Sequence, residues 1–281
     1  MRTLVTGAGG QLGSELGRLL EGQDCHLFDR SQLDITDAAA TAALVRELEP
    51  DLIINAAAFT KVDLCEAQPD TAFAVNAQGV RHLAQAARMV GAVLIQPSTD
   101  YVFDGSAGRP YAEQAPTEPL NVYGASKLAG ELSARANPRH YVVRTSWLFG
   151  ARGPNFVTSI LLQLDAGRQL RVVDDQIGSP TYAFDLAATM LSLARTGIYG
   201  TYHACNTGST SWFGLATEIV ARCGAKADVE PISSNQHSAA ARRPGYSVLA
   251  TDLLAQVGVR PMRSWQEALS SYLGCLGRLG G

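Results

Sequence analysis

At 281 residues the chain has room for two modest domains, or for one domain with a large appendage. Apolar residues make up 46% and charged residues 17%, a composition that buries a core and excludes a disordered chain. Its 23 basic and 26 acidic residues leave a net charge of −3, without the basic excess that a nucleic-acid or anionic-membrane binder needs.

The first strand is expected over residues 3–6. It runs straight into Thr6-Gly7-Ala8-Gly9-Gly10-Gln11-Leu12-Gly13 and a helix over 12–20. The charged start and long apolar stretch of a signal peptide do not precede it, and no apolar run approaches the ~18 residues of a membrane span. Gly7, Gly10 and Gly13 give G-x-x-G-x-x-G. Glycine is needed where a turn is tight, where backbone touches a pyrophosphate, and where helix packs on strand. The helix N-terminus then offers free N–H groups to phosphate. Asp29, 22 residues after Gly7, closes a second strand over 25–28, where a carboxylate meets adenosine ribose hydroxyls.

Further buried strands are expected at 52–55, 92–96 and 141–144, with helices at 38–48, 67–90 and 122–136. Continuous apolar strands alternating with helices predict an α/β fold, a doubly wound parallel sheet covered on both faces. Ligands in such sheets bind outside the carboxyl ends of the strands. The strand at 92–96 ends in Pro97-Ser98-Thr99-Asp100, so Thr99 lies where it can hydrogen-bond a substrate carbonyl. Tyr123 and Lys127 stand at i and i+4 on the next helix, on one face. With only three lysines in the chain, such a pair is an uncommon coincidence. A nearby ammonium is expected to lower the Tyr123 phenol toward working pH, which suits Thr99, Tyr123 and Lys127 to catalytic proton transfer during hydride delivery.

After Gly150 the rhythm loosens. Helices are expected at 156–164, 185–195, 211–223 and 265–273, separated by loops at 178–180, 233–238 and 243–247. Residues 1–150, joined by part of 184–205, are expected to form a dinucleotide-binding domain. Residues 151–281 are read as mainly a smaller C-terminal substrate-binding lobe, closing over the carboxyl edge of the sheet. Trp212 and Trp265, at helix starts, read as packing residues. The histidines lack metal-ligand spacing, and no metal site is expected. The five cysteines (Cys25, Cys65, Cys205, Cys223 and Cys275) are odd in number and scattered, which fits the reduced thiols of a cytoplasmic protein.

The glycine trio, Asn55-Ala56-Ala57-Ala58, the run 98–105 (STDYVFDG), Tyr123…Lys127 and Arg144-Thr145-Ser146-Trp147 resemble the extended short-chain dehydrogenase/reductases. The runs 55–63, 120–131, 175–181 and 243–247 extend the resemblance nearly end to end, toward the branch acting on dTDP-ketosugars. The resemblance implies a Rossmann-like fold and NAD(P)H-dependent reduction of the C4 ketone of dTDP-4-dehydro-L-rhamnose, supplying sugar for cell-envelope polysaccharide. Carried over, it sets Gly10, Gln11 and Leu12 at the cofactor pyrophosphate, Asp29 and Arg30 at the adenosine ribose, and Asp34 and Ile35 near the adenine. Ala58, Phe59 and Thr60 would border the nicotinamide ribose, beside Tyr123 and Lys127. Thr99, Asp100 and Trp147 would touch the sugar, and Arg243 the nucleotide diphosphate. The cofactor implied is NADPH, with NADH also accepted. Some relatives bind magnesium away from the chemistry, but no oxygen-ligand cluster marks that here. The partner implied is a small nucleotide sugar, with a homodimer left open. Two alternatives remain: an epimerase or dehydratase of the same family, and a non-catalytic NADP-binding regulatory subunit.

Overall fold

The computed structural model describes residues 1–236 and 239–280. Its first half runs β1 (Thr3–Thr6), α1 (Gln11–Leu19), β2 (Cys25–Phe28), α2 (Ala38–Leu48), β3 (Leu52–Asn55), α3 (Val62–Ala67), α4 (Pro69–Phe73), a π-helical turn (Ala74–Gly79), α5 (Val80–Val90), β4 (Val93–Thr99), α6 (Val122–Ala134) and β5 (His140–Thr145). There follow β6 (Leu148–Phe149), α7 (Phe156–Asp165), β7 (Leu170–Val173), β8 (Ile177–Gly178), β9 (Thr181–Tyr182), α8 (Ala183–Ala194), β10 (Gly200–His203), β11 (Thr210–Ser211), α9 (Trp212–Arg222), β12 (Val229–Ile232), α10 (Asp252–Gln256) and α11 (Trp265–Cys275).

Six strands form one sheet in the order β10-β5-β4-β3-β1-β2, every pair parallel. The chain reverses its direction of winding at β1, between β2 and β3, which opens a crevice at the carboxyl ends of β1 and β3. Neighbouring residues in a strand face opposite ways, and both ways are buried here. Val5, Ile54, Ile95 and Tyr141 point into a core closed by Leu16 of α1 and by Leu186 and Met190 of α8. Leu4, Ile53 and Leu94 point into a second core with Leu83 and Ala87 of α5. The smaller lobe has its own core, from Ile160, Leu215, Ile219, Leu269 and Tyr272 of α7, α9 and α11.

Several features differ from the sequence reading, beginning with β10, a sixth strand beyond the five expected. The strand expected at 92–96 continues to Thr99, because Ser98 and Thr99 keep pairing with Arg144 and Thr145 of β5. The single helix expected over 67–90 is broken: Gln68 closes α3, Pro69 starts α4 at the position where a missing N–H costs nothing, and the turn around Asn76 is π-helical. The smaller lobe also contains short strands that its loose patterning hid, β7 pairing with β12 and β8 with β11. The expected loop at 243–247 is tied down, with Ile177 donating to the Gly245 carbonyl and Ser247 to that of Ile177. Of the loop at 233–238, Ser234–Gln236 forms a 3-10 turn and the last two residues lie outside the described residues. Among the described residues no helix is long and apolar enough to cross a membrane.

Candidate active site

The glycine turn after β1 is fixed by sterics. Gly7 has φ +66, and a Cβ there would stand 2.4 Å from the Ala57 nitrogen. A Cβ on Gly13 would meet the Gly7 carbonyl at 2.2 Å, so α1 can approach β1 only with glycine there. Gly10 is the N-cap of α1, and no side chain takes the first-turn N–H groups, which leaves them for an anion. Gly7→Ala should therefore weaken binding of a nicotinamide dinucleotide at least about tenfold, because strained backbone would push into the crevice. A fluorescence titration measures it, and unchanged affinity would contradict the assignment.

A cavity of about 450 Å³ opens from this turn, lined by Gly7, Gly10, Asp29, Arg30, Asp34, Ile35, Ala58 and Phe59. Asp29 stays anionic, its carboxyl held low by the Ser31 hydroxyl and N–H. Arg30 is exposed and lies 3.5 Å from Asp34. At Gly10, Ala56 and Ala58 this cavity meets a second one, of about 520 Å³, whose walls include Gln11, Leu12, Thr60, Thr99, Asp100, Tyr123, Lys127, Trp147 and Arg243. Gly13 lines neither; it acts through packing.

Thr99 ends β4, accepts the Tyr101 N–H and donates to Asp100 Oδ1 at 3.0 Å. The other Asp100 oxygen accepts from Ser247 at 2.6 Å, across from the second half of the chain. Burial pushes the Asp100 carboxyl up to about 7, against these two bonds. Tyr123 lies in the first turn of α6, which Asn121 caps through the Gly124 N–H and Glu66 through the Val122 N–H. Gly124 lets this turn press on the Tyr101 carbonyl, which a Cβ would meet at 2.2 Å.

The Tyr123 phenol is raised above its ordinary value, opposite to the direction expected. Burial dominates, the Asp100 charge adds to it, and only Thr99 pulls the other way. Lys127 is not among the groups that shift the phenol, and its Nζ donates to the Pro97 carbonyl at 2.7 Å. Burial brings Lys127 itself down to about 8, with Glu131 opposing.

Glu131, one turn beyond Lys127, is fully buried. It accepts from Ser98 at 2.6 Å and from Arg144 through two bonds of 2.8 Å. On its far side Arg144 donates to the Glu113 carbonyl and faces His203, which burial and Arg144 hold neutral, down at about 3. Sequence reasoning gave Glu131 no role. It missed Asn76 as well, which leaves the π turn to bond both the N–H and the carbonyl of Phe59 and then Ser126 on α6. Asn76 thus locks the Phe59 backbone to the helix bearing Tyr123 and Lys127.

Trp147 has φ +46, a left-handed conformation that costs a bulky residue about 1–3 kcal/mol. Its ring stacks on Trp212, which lines the cavity and so does more than pack the smaller lobe. Arg243 reaches the same cavity from the far end of the sequence, but its fork is held by Asp63 at 2.8 and 3.2 Å. Asp63 also accepts the Ala241 N–H, and Asn121 donates to the Arg242 carbonyl, so this strap is docked on the first half at both residues. Beyond Arg243, Phe156 and Trp212 opens a third cavity, of about 850 Å³, with Arg171 and Arg242 in its walls. Among the described residues no three His, Cys, Asp or Glu side chains gather as a metal site.

A family model for the RmlD substrate binding domain matches residues 1–277. The dTDP-4-dehydrorhamnose reductase of Streptomyces griseus is 47% identical over 99% of this chain and 95% of its own length. Among solved structures, the dTDP-4-dehydrorhamnose reductase of Bacillus anthracis in complex with NADP superimposes with a TM-score of 0.94, at 43% identity, over 97% of this chain and 98% of that one. The UDP-glucose 4-epimerase of Thermus thermophilus, at 22% identity and a TM-score of 0.83 over 98% of each chain, shares the fold.

Proposed function

The chain belongs to the RmlD substrate-binding domain family, and on that footing we propose that it reduces the C4 ketone of dTDP-4-dehydro-L-rhamnose to dTDP-L-rhamnose with NAD(P)H. It is an oxidoreductase of dTDP-rhamnose biosynthesis. The observation that carries the reading is the convergence of Thr99, Tyr123 and Lys127 in one cavity that runs from the glycine turn to Trp147 and Arg243. The five cysteines are free thiols, which supports a reducing cytoplasmic setting.

The sheet half, including β10, serves the dinucleotide, and the smaller lobe serves the nucleotide sugar. The glycine turn fits a pyrophosphate: uncapped N–H groups at a helix N-terminus, on a backbone that side chains cannot crowd. Gly7, Gly10, Gln11 and Leu12 hold that group, Asp29 and Arg30 the adenosine ribose, and Ala58, Phe59 and Thr60 the other ribose. When bound, the reduced nicotinamide supplies the hydride for C4. Turned from Asp100, the Thr99 hydroxyl would donate to the C4 oxygen and fix its position against Tyr123. The raised phenol suits reduction, because Tyr123 stays protonated at neutral pH and gives its proton to the C4 oxygen as negative charge develops there. Lys127 would turn its ammonium from the Pro97 carbonyl toward the resulting phenolate. One ketone, one hydride and one proton give one alcohol.

The dehydratase reading would place a carboxylate after Asp100. Position 101 is instead a tyrosine, buried with its ring edge-on to Tyr123 at 5.9 Å. The regulatory-subunit reading does not need an intact acid-base set.

Cofactor oxidation on adding dTDP-4-dehydro-L-rhamnose tests the proposal, and no turnover of this ketosugar would overturn it. Both cofactors should work. Anionic Asp29 favours a free 2′-hydroxyl, while Arg30 can turn from Asp34 to a 2′-phosphate. NADPH should be preferred by less than about tenfold, under about 1.4 kcal/mol. Arg30→Ala should raise the KM for NADPH more than that for NADH. A preference above about a hundredfold in kcat/KM would show that one of the two side chains dominates.

A further inference from the structure

Two surfaces hold the strained Trp147, and one short ladder provides both. In the antiparallel pair of β8 and β11, Thr210 stands opposite Gly178 and Ser211 opposite Ile177. Gly178 has no side chain where Trp147 packs, and a Cβ there would lie 2.4 Å from the indole Cε2. Trp212, the residue after β11, stacks on Trp147 with ring centroids 3.5 Å apart and planes 4° from parallel. The Trp212 ring is itself fixed, its N–H donating to Gln176 Oε1 at 3.2 Å and Phe156 packing at 4.6 Å. On the backbone side, Thr181 donates to the Trp147 carbonyl. A bulky residue keeps a left-handed backbone only where its surroundings over-determine it, and the Trp212 stack is one of these contacts.

We propose that Trp212 is a positioning residue for the ketosugar reduction: by stacking on Trp147 it keeps that indole in the wall of the sugar cavity. The inference rests on the reductase reading above; Trp212 also lines the cavity itself, and the role proposed is the one it exerts through Trp147. Without the stack, Trp147 relaxes to an ordinary backbone conformation and swings its ring, and the cavity loses one wall. Grip on the sugar then weakens. The dinucleotide cradle around Gly7 and Asp29 is built from other elements and is untouched.

The test uses the full-length chain and its Trp212→Ala and Trp212→Phe variants. Indoles stacked this closely couple their transitions, so the wild type should show an exciton couplet in far-ultraviolet circular dichroism. Trp212→Ala should lose the couplet, raise the KM for dTDP-4-dehydro-L-rhamnose about tenfold or more, and leave NADPH affinity within about twofold. Trp212→Phe keeps a flat ring against Trp147 and should restore most of the KM. A merely structural Trp212 would move NADPH affinity and sugar KM together, which overturns the role, as does a lost couplet with a sugar KM within about twofold of wild type. Should Trp212→Ala fail to fold, Trp212→Leu takes its place: it keeps bulk but no flat ring and must raise the sugar KM with NADPH affinity within about twofold, and an unchanged sugar KM overturns the role. Absence of ketosugar turnover by the wild type, in contrast, overturns the reductase reading itself.

Discussion

Tyr123→Phe should lower ketosugar turnover at least about a hundredfold, the lower end of what a positioned general acid supplies. The ring is retained, so its packing on Tyr101 and the capping of α6 by Asn121 and Glu66 persist, and NADPH should bind as before. The pH profile separates this group from its neighbour. Burial raises Tyr123, which therefore remains protonated well above neutrality, whereas Lys127 titrates at about 8. Lys127 carries its charge below that value and loses it above, so kcat/KM for reduction should decline as pH rises through about 8. Near wild-type turnover in Tyr123→Phe would remove Tyr123 as the proton donor.

The second large effect concerns stability. Glu131→Gln should cost roughly 3–5 kcal/mol, because it leaves the Arg144 guanidinium buried without its anion. Arg144 is 2% exposed, and the neighbouring His203 is neutral and cannot replace the carboxylate. Replacing both partners, as Glu131→Met with Arg144→Met, should recover much of the loss, since an apolar pair of similar volume pays no desolvation. Urea unfolding measures both variants. A single-variant loss below about 1 kcal/mol would mean that the Glu113 carbonyl and His203 suffice to hold Arg144 in place.

The sequence made the framework legible for identifiable reasons. Fully apolar strands, a glycine turn and an i, i+4 pair are local patterns, and they set Thr99, Tyr123 and Lys127 around the carboxyl end of β4. The unread part depended on partners distant in sequence. Asn76 meets Phe59 across 17 residues and Ser126 across 50, and Asp63 meets Arg243 across 180. No spacing rule links such residues. The direction of the Tyr123 shift was misjudged for a related reason. Helical periodicity places Lys127 on the same face but gives neither the depth of burial, which dominates here, nor the Pro97 carbonyl that Lys127 meets instead. Trp212 read as packing because a tryptophan at a helix start has no periodic signature of a cavity wall.

The outermost strand of the sheet has a consequence for how the protein is made. β10 pairs with β5, yet α7, α8 and four short strands are synthesised between them. A nascent chain that has emerged only through β5 therefore presents Tyr141, Val142 and Val143 along an open edge, a template for wrong pairing. It also lacks α8, whose Leu186, Met190 and Leu193 cover the face around Val5, Ile54 and Ile95. The half that carries the glycine turn cannot complete itself in the order of its own synthesis. It waits for a strand and a helix delivered from beyond the start of the other lobe, so a fragment ending at Gly150 would be an aggregating intermediate and not a minimal domain.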